Sequence, residues 1–86
     1  MVFLILEPQA VSDTVRLAKQ CGQSVWVGSD AITSEEHQNL VRDGVKVTRL
    51  AYPLANETAD VVADALATIE EHHPSEIIWV QHVCAE

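Results

Sequence analysis

Four short apolar runs alternate along the chain with three segments of helical spacing, and this rhythm leaves few folds open to it. The strand candidates are Val2–Leu6, Ser24–Val27, Val45–Leu50 and Glu76–Val83. The helix candidates between them are Ser12–Cys21, Ser34–Asp43 and Glu57–His72. Strands that alternate with helices argue for a parallel sheet joined by helical crossovers. Phe3-Leu4-Ile5-Leu6, Val25-Trp26-Val27 and Ile77-Ile78-Trp79-Val80 are near-continuous apolar runs, as expected of strands buried on both faces. The third strand differs: Val45 and Val47 alternate with Lys46 and Thr48, and a half-polar strand fits a sheet edge.

The punctuation between these segments supports the same reading. Ser12 is placed to cap the first helix and Gly22 to end it in a left-handed conformation. Val11, Val15 and Ala18 form its apolar stripe. Thr33 followed by Glu36 is a capping box for the second helix, and Gly44 closes it. Asn56 is the expected cap of the third helix and Pro74 its stop. In that helix Val62, Leu66 and Ile69 are expected to face inward, and Asp60, Asp64 and Glu71 outward.

The expected architecture is therefore a single α/β domain over residues 1–86. It is a small three-layer domain of the Rossmann-like or flavodoxin-like kind, with a four-stranded, mostly parallel sheet and three helices. Strand order 3-2-1-4 puts the half-polar strand at an edge; order 2-1-3-4 is the competitor. Either order leaves part of the sheet uncovered, because no fourth helix is expected after Val83.

Charge narrows the choice of partners. Residues 50–86 hold seven acidic residues and no Lys or Arg, while residues 1–49 are nearly balanced. Of the net charge of −8, seven units thus lie in the second half. Such a surface repels phosphate backbones, so nucleic acid is not an expected partner. The acidic outer face of the third helix suits a basic protein partner instead. The opening apolar run is too short to span a bilayer and lacks a basic leader, so neither a membrane nor a secretory route is expected. The expected compartment is the cytoplasm. The two cysteines, Cys21 and Cys84, belong to opposite edges of the sheet and are not expected to bridge within one chain.

In open α/β sheets, ligands bind beyond the carboxyl ends of the strands, where strand order reverses. The candidate ligand-binding residues at that edge are Glu7, Gln9, Ser29, Asp30, Asn56 and His82. Glu7 and Asp30 end adjacent strands and carry the hard oxygens that suit Mg²⁺, though acids near helix N-termini are also favoured by the helix dipole alone. The turn Glu7-Pro8-Gln9-Ala10-Val11 has no glycine to admit a phosphate, and no cofactor is implied. The histidines lack the pairings that zinc sites use. Cys84 and His82 share a strand face, but no oxyanion-hole turn accompanies them.

No catalytic constellation emerges. The apolar content of 48% is high for so small a chain with this much charge, which hints at self-association. The favoured reading is a non-enzymatic, self-associating binding or protein-interaction module, expected to be a homodimer. Its candidate interface is Ile78, Trp79, Val80 and Val83, with Trp79 as anchor. The alternative is a small enzyme or metal-dependent ligand-binding domain that uses the strand ends.

Overall fold

Side chains alternate across a strand, so an apolar run on a central strand feeds two cores at once. The computed structural model, which describes residues 1–54 and 58–81, shows this partition. The strands are β1 (Val2–Ile5), β2 (Ser24–Val27), β3 (Val47–Arg49) and β4 (Ile78–Val80), and the helices are α1 (Val11–Cys21), α2 (Ser34–Arg42) and α3 (Ala59–His72). Their sheet is all-parallel in the order β3-β2-β1-β4. That is the 3-2-1-4 arrangement, and it places the half-polar third strand at one edge.

Val2, Leu4 and Leu6 point from β1 and its exit toward α3. There they join Trp26, Leu50, Leu54, Ala65 and Ile69 in one buried cluster. Ile5, Val25, Val27, Val45 and Val47 point the other way and pack with Ala18 of α1 and with Ala31 and Ile32 ahead of α2. Val11, Val15 and Leu40 lie partly buried against this second cluster. Full burial of one such aliphatic side chain contributes about 1.5–3 kcal/mol. Two helices therefore cover one face and one helix the other, the three-layer division expected.

The helix ends show where local signals sufficed. Thr33 Oγ1 accepts from Glu36 N–H at 3.1 Å, and Glu36 Oε1 accepts from Thr33 N–H at 2.9 Å, which completes the capping box. Gly22, at φ 68°, ends α1 in the left-handed region that glycine enters without steric cost. Ser12 does not cap α1. Pro8–Ala10 form a 3₁₀ turn, begun by the fixed φ of proline, so the chain is already helical before Ser12 and the cap is Ala10. The cap of α3 is Thr58, while the expected cap Asn56 lies outside the described residues. Among the described residues no helix is long and apolar enough to cross a membrane.

Candidate functional site

At the carboxyl edge of the sheet, the crevice between β1 and β4 is filled by a polar group of the chain itself. Strand order reverses between β1 and β4, and there the Gln81 side chain enters the crevice. Its Oε1 accepts from both Leu6 N–H and Glu7 N–H at 2.8 Å. These two donors lie where an open α/β sheet ordinarily meets a ligand oxygen, and here an internal amide satisfies them. Glu7 accepts through Oε2 from Gln9 Nε2 at 2.8 Å, so these two candidates bond to each other.

Ser29 and Asp30 serve the neighbouring loops. Ser29 N–H donates to Tyr52 C=O at 3.0 Å, and Asp30 Oδ1 accepts from Leu54 N–H at 3.1 Å. Both bonds fasten the segment after β3 to the end of β2. Close approach there requires Gly28, where a Cβ would lie 2.9 Å from the Leu54 backbone nitrogen. Asn56 and His82 lie outside the described residues. Among the described residues no group of three or more His, Cys, Asp or Glu side chains gathers to hold a metal ion.

Two residues at this edge were not among the expected candidates. One is Gln81. The other is Arg49, at the end of β3, whose guanidinium donates to Ser29 C=O at 2.8 Å and through Nε to Ile32 C=O at 3.0 Å. It clamps the loop that leads into α2. Each is the polar residue that ends or follows a strand, and that position was the only signal open to sequence reasoning. Between α1 and α2 lies a groove of about 450 Å³, bordered by Pro8, Val11, Ser12, Ala31, Ile32, Glu36, Asn39 and Leu40.

At the opposite end, β2 and the exit of α3 share a polar chain. Trp26 is a core residue, and its indole N–H donates to His73 Nε2 at 3.3 Å. An indole nitrogen only donates, so His73 Nε2 accepts and the imidazole proton sits on Nδ1. His73 Nδ1 faces Glu76 Oε2 at 2.8 Å, and Glu76 Oε1 meets the Met1 ammonium at 2.8 Å. The Met1 ammonium and then His73 hold the Glu76 carboxyl below its ordinary range.

An apolar strip runs along β4. Ile77 is 66% exposed, Trp79 56% and Val80 40%. Ile78 points toward α3 and lies partly buried against its core, and Val83 is outside the described residues. Trp79 pairs with Phe3 in the sheet, and with it and Thr14 of α1 lines a hollow of about 200 Å³. Compared with protein-family models, with curated proteins and with solved structures, the chain matches none.

Proposed function

We propose that the chain is a non-enzymatic protein-interaction module that associates with itself through β4. One observation carries this reading: a tryptophan and two aliphatic side chains of one short edge segment stand 40–66% exposed. A lone exposed apolar side chain needs no explanation, whereas a contiguous strip marks an interaction surface. Interfaces concentrate tryptophan at their energetic centres, and Trp79 is the anchor of this one. The carboxyl edge supports the reading from the other side, since Glu7 and Gln9 bond each other, Asp30 holds the loop at Leu54, and Gln81 occupies the donors of Leu6 and Glu7. The exposed free thiol of Cys21 suits a reducing compartment such as the cytoplasm.

Light scattering at micromolar concentration is expected to give about twice the chain mass of 9.5 kDa. Trp79→Ala is expected to shift the protein to monomer with its helix content unchanged. A wild-type protein that stays monomeric throughout the micromolar range would remove this reading.

The second reading is a small-molecule site at the carboxyl edge. The groove between α1 and α2 favours it, being concave, mostly apolar and edged by Ser12 and Asn39. Thermal stabilisation by Mg²⁺ or by a small ligand, lost on Asn39→Ala, would support it.

A further inference from the structure

Resting on the self-association reading, we infer that two copies join edge to edge, β4 antiparallel to β4 about a two-fold axis at Trp79, into one eight-stranded sheet. The backbone of β4 specifies this register. Val2 N–H donates to Ile77 C=O at 2.8 Å, and Gln81 N–H donates to Leu4 C=O at 2.9 Å. In a parallel ladder alternate residues turn their polar groups to the same neighbour, so Ile77, Trp79 and Gln81 face β1. The N–H and C=O of Ile78 and Val80 therefore point to the edge that is open among the described residues, since β4 ends the strand order.

An antiparallel copy pairs outward-pointing residues with outward-pointing residues. With the axis at Trp79, Ile78 exchanges both its bonds with the partner's Val80, and Val80 does so with the partner's Ile78. Both outward residues of each copy are then fully used. The two Trp79 residues become a directly opposed, non-hydrogen-bonded pair, with Cα atoms about 4.5 Å apart. Their rings come together on the α1 side of the sheet. There Thr14 borders the same hollow, and Leu17, one turn further along that helix, is 48% exposed.

Charge decides the occupant. From Ile77 to Gln81 the strip carries no charged residue, although the chain from residue 50 onward holds seven acids and no Lys or Arg. A basic strand would leave its charges unmatched on this strip. An uncharged apolar strand fits it, and β4 itself is such a strand. Two-fold pairing is also self-limiting, because it consumes the open edge of both copies.

Four variants of the full chain test the register, the cysteine variants in a Cys21→Ser/Cys84→Ser background. Ile78→Cys mixed with Val80→Cys is expected to form an intermolecular disulfide on mild oxidation, because these residues lie directly opposite each other within disulfide reach and Trp79 is kept. Ile77→Cys is expected not to, since its counterpart lies four residues away along the ladder, about 13 Å. Val80→Pro deletes one outward N–H per copy while sparing the bonds to β1, and edge strands accept proline there. It is expected to keep the wild-type circular dichroism and to weaken self-association about a hundredfold, as loss of two hydrogen bonds implies. A wild-type dimer in which Val80→Pro still dimerises, or in which Ile77→Cys cross-links and the mixture of Ile78→Cys with Val80→Cys does not, overturns edge pairing and leaves self-association standing. A wild-type monomer overturns both.

Discussion

Glu76 links three parts of the chain: its own segment ahead of β4, the Met1 ammonium and His73 at the exit of α3. Because the folded state favours its ionised form, its pKa is depressed from the ordinary 4.5. A depressed carboxyl contributes stability that is fully present above its unfolded value and is lost as pH falls through its folded value. Thermal melts of wild type and Glu76→Gln should therefore differ at about pH 6, draw together as pH falls below 4.5, and meet only below the depressed folded value, where the unmutated carboxyl also becomes neutral. The difference should be small, because the group is solvent-exposed. A gap that persists unchanged at pH 3 would show that charge is not what Glu76 contributes. Residues of this kind, like Gln81 and Arg49, were not legible in the sequence as partners. Gln81 reaches backbone donors 74 and 75 positions away, and no local pattern encodes so distant a pairing. Thr33 and Glu36, by contrast, satisfy each other across three residues, and their capping box was readable directly.

Elements were legible in proportion to how local their determinants are. α1 and α3 follow their apolar stripes and α2 its capping box, and boundaries moved where a turn intervened. β4 is confined to Ile78–Val80, although its apolar run begins earlier, because residues 73–76 make a turn closed by Glu76 N–H on His73 C=O at 3.3 Å. Pro74 sits at its second position, and Ser75 at its third has φ 68°. A left-handed third residue after proline is the type II arrangement, which favours glycine. Ser75→Gly should accordingly raise stability by about 1 kcal/mol in urea denaturation, and destabilisation would contradict the assignment. The outer face of α3 offers a separate test. Asp60, Asp64 and Glu71 are exposed, as their spacing predicts. If the stripe serves solubility alone, Asp60→Asn/Asp64→Asn/Glu71→Gln should leave stability within about 0.5 kcal/mol and the oligomer unchanged. Loss of a defined oligomer in sedimentation would instead assign the stripe to a binding role.

At the scale of the whole molecule, strand order was readable because polarity marks an edge: the alternation of Lys46 and Thr48 with buried Val45 and Val47 excludes a central position for β3. The opposite edge gave no such mark, since Ile77-Ile78-Trp79-Val80 reads as an interior strand. Yet β4 is also an edge. An apolar strand at an edge is the mismatch on which the proposed self-association rests, and that proposal has a thermodynamic signature. If dimerisation is coupled to folding, unfolding one dimer yields two chains, and the folded state gains with total concentration by mass action. A tenfold rise in protein is worth about 1.4 kcal/mol per mole of dimer. For a domain of this size 1 kcal/mol moves Tm by about 4–8 °C, and the gain is shared by two chains, so Tm should rise by a few degrees per decade of concentration. Val80→Pro, with its outward donor removed, should melt at a temperature independent of concentration over the range in which it is monomeric. Calorimetry from 5 to 500 µM distinguishes the cases, and a flat wild-type Tm at concentrations spanning the dimer's formation would show that β4 is stable in its own chain without a partner.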